Sequence, residues 1–154
     1  MIIRVPDVAD AGLLSAKAQT YAATMYPELI PDIEKIHWLV RDCTHQPNVH
    51  YSRVMGKPGE PTAAILTRTE NNLWAMKKHA SVVLWYSEIP GAGAALLRGF
   101  RNWVKTQKHV VMAGFNADWV MADARPLMLA HRIGFTKRGE GMYVFHRGGS
   151  KWPG

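Results

Sequence analysis

The 154-residue chain contains a single cysteine, Cys43, so it can form neither an internal disulfide bond nor a cysteine-based metal cluster. A lone thiol is typical of a reducing compartment, and we expect the cytoplasm. No apolar run approaches the roughly 18 residues of a membrane-spanning helix, and Pro6 and Asp7 come too early for a signal peptide. These absences predict a soluble protein without a membrane anchor.

The chain also lacks repeats, low-complexity segments and blocks of like charge. Lysine and arginine exceed aspartate and glutamate by 19 to 12, but no five or six basic residues occur together. The net charge of +7 favours anionic partners, such as an acidic protein, RNA or a phosphorylated ligand. With 47% apolar residues, the composition predicts one globular domain over residues 1–147, followed by a flexible tail over 148–154.

The spacing of apolar and turn-forming residues predicts ten elements in the order β, α, α, β, β, β, α, β, α, β. The segment 73–79 is ambiguous between strand and helix. This order indicates an α/β (α+β) fold with a mixed central sheet and helices on both faces. The predicted strands cover residues 2–5, 49–55, 62–69, 81–86, 110–115 and 142–145, and the predicted helices cover 7–25, 31–46, 93–107 and 121–133.

A strand, a glycine turn and a helix form the most informative unit. Ser81–Tyr86 is an apolar run typical of a strand covered on both faces, and Gly91 and Gly93 precede an amphipathic helix. The first turn of a helix presents free N–H groups and a positive dipole end, which suit a pyrophosphate. A tight structural turn would explain the two glycines equally well.

Two other nucleotide-binding motifs match this unit less well. A dinucleotide-binding fingerprint requires a third glycine at position 96, which is Leu96, although Asp118 lies near the distance expected for its acidic residue. The unit also comes late in the chain, after helices and a hairpin, rather than opening a βαβ repeat. A P-loop is excluded because no Gly-Lys-Ser/Thr follows the turn.

The order of elements over residues 2–145 resembles that of the GNAT superfamily of N-acetyltransferases. In that family a strand, a glycine-rich turn and a helix hold the pyrophosphate of CoA, and a helix ending in Gly-Phe follows. Arg132-Ile133-Gly134-Phe135 resembles this closing motif. Leu84-Trp85-Tyr86-Ser87 and Pro90-Gly91-Ala92-Gly93 also resemble a group of bacteriophage-encoded GNAT-like proteins.

The resemblance implies acetyl-CoA as the acyl donor and a primary amine as the acceptor. It implies that main-chain groups near Leu84 and Tyr86 pair with the pantetheine arm of CoA and polarise the thioester carbonyl. It also implies amide contacts to the pyrophosphate and polar side chains that reach the cofactor. The candidate cofactor-binding residues are Leu84, Trp85, Tyr86, Gly91, Ala92, Gly93, Ala94, Ala95, Asn116, Arg125 and Arg132.

Two positions depart from the family pattern. Glu88 stands where the family has glutamine or arginine, and Ala130 stands where it has the tyrosine that protonates the thiolate. Glu88 is a candidate base, and Tyr86 and Tyr143 are candidate acids. Glu88 is also explained as an exposed turn charge, and the two tyrosines as packing residues. The seven histidines show no metal-binding spacing, so no metal is expected.

The sequence therefore predicts an acetyl-CoA-dependent N-acetyltransferase acting on a protein, an aminoacylated RNA or a small amine. Glu88 and Ala130 favour the alternative of a catalytically degenerate GNAT-fold binding protein, for example a phage virion-associated one. A weaker alternative is a nucleic-acid-binding protein that uses the basic helix over residues 93–107. The sequence leaves an oligomer open.

Overall fold

The computed structural model describes residues 2–71, 76–116, 125–138 and 142–147. Within these ranges the chain forms seven strands and four α-helices. They are β1 (Ile3–Arg4), α1 (Ala11–Met25), α2 (Ile33–His45), β2 (Ser52–Lys57), β3 (Glu60–Asn71), β4 (Lys78–Ser87), α3 (Ala92–Thr106), β5 (Val110–Asn116), α4 (Arg125–Ile133), β6 (Thr136–Arg138) and β7 (Met142–His146).

The α/β class and the order of the ten predicted elements are confirmed, but one strand was missed. β6 contains only Thr136–Arg138, too few residues to show the alternation that marks a strand. The hairpin turn is tighter than predicted, because β2 continues to Lys57 and β3 begins at Glu60. The start of the predicted last helix and the predicted tail lie outside the described residues. None of the helices described is long and apolar enough to cross a bilayer.

The seven strands form one sheet in the order β1-β2-β3-β4-β5-β7-β6. Neighbouring strands in the described sheet run antiparallel except β4 and β5, which are parallel and joined through α3. Leu14 of α1 and Val40 of α2 pack on one face in the α1/α2 core. Phe100 of α3 and Ile133 of α4 pack on the other face in the α3/α4 core. The sheet is therefore covered by helices on both faces, as the sequence predicts.

A β-bulge at Val83 rotates the second half of β4. Leu84 lies opposite Leu66 of β3, whereas Val82 lies opposite Thr67, so Val83 is an extra residue on β4. Val82 packs in the α3/α4 core, Val83 and Leu84 pack towards the α1/α2 core, and Trp85 returns to the α3/α4 core. Because both faces of the sheet are covered here, the run over residues 82–86 is apolar whichever face each residue takes.

Cys43 lies on the buried face of α2 and is completely buried. Burial raises the pKa of its thiol to about 12, so the thiolate required of a nucleophile or metal ligand is scarce at neutral pH. Its carbonyl oxygen accepts a hydrogen bond of 2.7 Å from the Ser52 hydroxyl. Cys43 therefore serves packing rather than chemistry.

A buried carboxylate joins the N-terminal segment to the β2–β3 hairpin. Asp10 is completely buried and accepts two hydrogen bonds from Arg4, at 2.7 and 3.0 Å. It also accepts the N–H groups of Asp7 at 2.7 Å and Gly59 at 2.9 Å, and Arg4 donates to Gly56 O at 2.8 Å. Burial alone would raise the pKa of Asp10, but the bonds from Arg4, Asp7 and Gly59 outweigh it and lower the pKa. The start of α1 is thus fixed to the hairpin.

Asp10→Asn should lower the free energy of unfolding by about 3 kcal/mol at pH 7, because it leaves the Arg4 charge without its partner. The folded pKa of Asp10 is below its unfolded value. The wild type should therefore hold this stability above pH ~4 and lose it as the pH falls, whereas the variant should lose less on acidification. Urea unfolding at pH 7 and pH 3 measures both effects, with Glu60→Gln on the exposed hairpin as the control. Equal stability of Asp10→Asn and wild type at pH 7 would refute this account of the cluster.

Candidate functional site

β4 pairs with β5 only at the start of its length, from Lys78 to Ser81. The ladder joins Lys78 through Ser81 of β4 to Val110 through Gly114 of β5. Beyond this point β4 continues to Ser87 without β5, while Phe115 and Asn116 of β5 pair with β7. The two parallel strands thus separate towards their carboxyl ends, and we call this opening the β4–β5 cleft.

The main-chain groups that face the cleft belong to Trp85 and Ser87. The N–H of Glu88 donates to Thr62 O of β3 at 2.9 Å, which makes this an antiparallel hydrogen-bonded pair. Because such pairs alternate along a strand, the N–H and C=O groups of Leu84 and Tyr86 also point to β3. Those of Trp85 and Ser87 point to the opposite edge of β4, where β5 has left.

Helix α3 begins beside this edge with free N–H groups. Gly91, its N-cap, has a φ of +81°, a conformation that strains any L side chain, and no side chain caps the helix. The N–H of Ala92 donates to Ile89 O at 3.2 Å, and that of Ala95 makes the first helical bond to Gly91 O at 3.1 Å. Within the described part of the chain, the N–H groups of Gly93 and Ala94 donate no hydrogen bond. They lie at the positive end of the helix dipole.

The indole of Trp85 fixes the start of α3 against the end of β4. Its Nε1–H donates to Gly93 O at 3.1 Å. A Cβ on Gly93 would lie 3.4 Å from the Ser87 Cβ and 3.5 Å from Trp85 Nε1, so the helix and strand approach closely. The Trp85 ring also packs against Phe115 of β5, with 5.7 Å between ring centroids. One side chain therefore links the edge of β4, the start of α3 and the far strand of the cleft.

Glu88 does not cap α3. Its carboxylate accepts a hydrogen bond of 2.7 Å from the ammonium of Lys17 on α1, and both side chains are partly exposed. The Lys17 ammonium also lies over the Tyr86 ring, 5.1 Å from its centroid. The negative charge that the sequence places near the turn is therefore offset by a lysine from another element.

The two predicted acids lie on opposite faces of the sheet. Tyr86 packs on the α1/α2 side, and its hydroxyl donates to Pro61 O at 2.8 Å. Burial raises the pKa of Tyr86, and the Glu88 charge raises it further. Tyr143 lies on the α3/α4 side, stacked on Phe115 with 5.3 Å between centroids. The structure does not bring these two hydroxyls to one place.

The remaining predicted residues lie on β5 and α4. Asn116 ends β5 and is half-buried. Arg125 is the first residue of α4, and its side chain lies outside what the structure describes. Arg132 is exposed in the last turn of α4, which Arg101 of α3 caps through a 2.8 Å hydrogen bond to Ile133 O. Ala130 is completely buried.

Sequence reasoning missed Tyr21. Its hydroxyl donates to the carbonyl oxygen of Trp85 at 2.9 Å, on the edge of β4 that faces the cleft. Burial raises the pKa of Tyr21, so the phenol is neutral. In the sequence Tyr21 is one apolar position of the predicted helix over residues 7–25. Its contact with a residue 64 positions away depends on tertiary structure and leaves no local signal.

A separate open cavity of about 720 Å³ lies between the start of α1 and the end of α2. Two acidic residues, Asp7 and Asp42, line it together with Trp38. Asp7 already accepts the N–H of Ala9, and Asp42 lies 3.6 Å from the Arg68 guanidinium. This cavity contains none of the residues predicted for the site, so the cleft is the better candidate.

No protein-family model matches the chain, and no curated protein matches it in sequence. Several solved structures match its fold. An acetyltransferase of the GNAT family from Streptococcus pneumoniae has a TM-score of 0.64 at 11% identity, over 93% of this chain and 95% of that one. Ribosomal-protein-alanine N-acetyltransferase from Brucella melitensis gives 0.65 at 15% identity, over 95% and 99%. The yncA protein of Salmonella typhimurium, solved with its cofactor acetyl-CoA, gives 0.64 at 15% identity, over 100% and 98%. These similarities show that the chain has the fold of the GNAT acetyltransferases.

Proposed function

We propose that the protein transfers an acetyl group from acetyl-CoA to a primary amine. The proposal rests on two sets of main-chain groups that lie side by side, one at the end of β4 and one at the start of α3. The outward-facing groups of Trp85 and Ser87 line the cleft, and the free N–H groups of Gly93 and Ala94 begin α3 beside it. An extended arm that ends in a diphosphate fits both sets. The Salmonella protein of the same fold was solved with acetyl-CoA.

The start of α3 fits the diphosphate. Its N–H groups and the helix dipole attract an anion, and Gly91 and Gly93 carry no side chains that would keep the phosphates away. A Cβ on Gly91 would meet no atom of the protein within 4 Å, so the space beside it is open. The amides from Gly91 to Ala95 predicted from the sequence keep this role in the proposal.

The edge of β4 fits the pantetheine arm. An amide-containing chain in the cleft would pair with Trp85 and Ser87 as a short strand pairs with its neighbour. A fixed N–H in this position polarises a thioester carbonyl because it stabilises the negative charge that develops on the oxygen. Since Leu84 and Tyr86 pair with β3, the proposal moves the main-chain contacts predicted for them to Trp85 and Ser87.

Glu88 is the proposed base for the amine proton, directly or through water. Its side chain is 53% exposed and lies just beyond the end of β4. The exposed ion pair between Glu88 and Lys17 contributes at most about 1 kcal/mol to stability. A substrate amine can therefore take the place of the Lys17 ammonium at little cost in free energy. For the acceptor we propose a peptide amine, since the Brucella protein is named for an alanine of a ribosomal protein.

Ala130 favours a second candidate, a protein that binds CoA without turnover. The GNAT resemblance places the thiolate-protonating tyrosine at this position, and a buried methyl group cannot donate a proton. The two candidates share the donor site and differ only in chemistry. Thiol release from acetyl-CoA separates them.

CoA and acetyl-CoA should each stabilise the protein. At a concentration 100 times Kd, binding adds about 2.7 kcal/mol, which raises the Tm by roughly 5–10 °C in a chain of this size. Gly91→Val should remove this shift, because its side chain would enter the space of the phosphates and strain a residue at φ +81°. Differential scanning fluorimetry with and without CoA measures the shift separately from any loss of stability in the free variant.

Gly12→Val provides the matched control. Gly12 lies in the first turn of α1, and a Cβ added there meets nothing within 4 Å. This variant should keep the full CoA-dependent shift. A Gly91→Val protein that responds to CoA like the wild type would place the diphosphate elsewhere and contradict the proposed site.

Lys17→Met should weaken CoA binding roughly fivefold, because Glu88 loses its partner and its charge acts on the diphosphate. Glu88→Gln in the same chain should restore the affinity, which isothermal titration calorimetry measures. Lys35→Met, which removes an equal charge from the exposed surface of α2, is the control and should leave Kd unchanged. Equal loss in the two lysine variants would mean that net charge, rather than Glu88, sets the affinity.

A further inference from the structure

Two contacts fix the register of α1 over β4. Lys17 pairs with Glu88 just beyond the end of the strand, and Tyr21, one helical turn later, bonds to the carbonyl oxygen of Trp85. α1 therefore runs back along β4 from its carboxyl end towards the bulge at Val83. Tyr21 is the residue that this register brings to the cleft-facing edge.

The Trp85 carbonyl would otherwise lack a strand partner. It points away from β3, and the ladder to β5 has ended at Ser81. Tyr21 supplies the donor from the α1/α2 side of the sheet. Its phenolic oxygen keeps its lone pairs, and its proton sits on the part of β4 where the proposal above places the thioester.

The other candidate acids do not share this place. The Tyr86 hydroxyl is bonded to Pro61 O on the β3 side, and Tyr143 is stacked on Phe115 on the opposite face of the sheet. The methyl side chain of Ala130 cannot act as an acid. Among the tyrosines whose side chains the structure describes, only Tyr21 bonds to the cleft-facing edge of β4.

We infer that Tyr21 is the proton donor to the leaving thiolate, in place of the tyrosine that the family resemblance puts at position 130. The inference rests on the acetyltransferase function proposed above. Burial keeps the phenol protonated and makes it a weaker acid, but it also raises the proton affinity of a thiolate beside it, which offsets that loss.

Acetyl transfer forms one bond to the acyl carbon, breaks another, and moves two protons. The amine nitrogen forms a bond to the acyl carbon, the bond from that carbon to sulfur breaks, and its electron pair remains on sulfur. The Tyr21 hydroxyl turns from the Trp85 carbonyl oxygen to the sulfur and gives its proton to the sulfur. The proton lost by the amine nitrogen returns to Tyr21 Oη through water or Glu88. The products are the amide and the free thiol, and Tyr21 ends as it began.

The test uses CoA itself as the probe and needs no acceptor. A hydroxyl that donates to sulfur stabilises the bound thiolate, so it lowers the pKa of the bound CoA thiol. Ultraviolet absorbance of the thiolate, followed against pH at saturating CoA, should give a thiol pKa about one unit higher in Tyr21→Phe than in the wild type. Tyr26→Phe, exposed at the end of α1, and Tyr143→Phe are the controls and should match the wild type.

Each outcome decides the inference. An unchanged thiol pKa in Tyr21→Phe, with CoA still bound, overturns the role of Tyr21 and leaves the proposed donor site standing. A raised pKa in Tyr143→Phe instead assigns the donor to the other face of the sheet. A wild type that does not bind CoA refutes the proposed function itself, and calorimetry identifies that case before any titration. Circular dichroism confirms that Tyr21→Phe is folded.

If the amine is found, kinetics add an independent readout. Loss of a general acid should lower kcat by roughly 100-fold or more and leave the KM for acetyl-CoA nearly unchanged. The solvent deuterium isotope effect on kcat should also fall in Tyr21→Phe. A residue that only anchors α1 would change the Tm without changing the isotope effect.

Discussion

The main-chain groups of a strand need hydrogen-bond partners, and β4 loses its neighbour β5 for the second half of its length. In this part of β4 the main-chain groups of Leu84 and Tyr86 pair with β3, while those of Trp85 and Ser87 face an opening. The bulge at Val83 sets which residues these are, because it shifts the alternation of the strand by one. The candidate site is defined by this unpaired edge more than by any reactive side chain.

Much of this architecture can be read from the sequence. The apolar run over 81–86 predicts a strand covered on both faces, and Gly91 and Gly93 predict the turn before α3, where Gly91 adopts the left-handed conformation. The bulge leaves no such signal, because a run in which every residue is apolar looks the same in either alternation. The resemblance implies main-chain contacts near Leu84 and Tyr86, and the sequence alone does not show that the groups of Trp85 and Ser87 face the cleft instead.

The surroundings of the Glu88 charge are a second feature that the sequence alone does not predict. Glu88 alone suggests repulsion of a phosphate, and only the fold shows that Lys17, 71 residues earlier in the chain, binds its carboxylate. Tyr21 is hidden in the same way, since in the sequence it is one apolar position of a helix. Local patterns predict elements and turns well, whereas contacts between distant elements depend on how the helices dock. Both residues that the sequence could not place lie on α1.

The buried Asp10 holds the start of α1 in place. Asp10 ties the residues just before α1 to β1 and to the β2–β3 hairpin, and Lys17 and Tyr21 lie further along the same rigid helix. The start of α3 is held separately, by the indole of Trp85. α1 and the start of α3 are therefore held beside the cleft by independent contacts. The Asp10 carboxylate becomes protonated in acid, whereas the indole of Trp85 does not. Acidification should therefore loosen the packing of α1 beside the cleft while the start of α3 keeps its position.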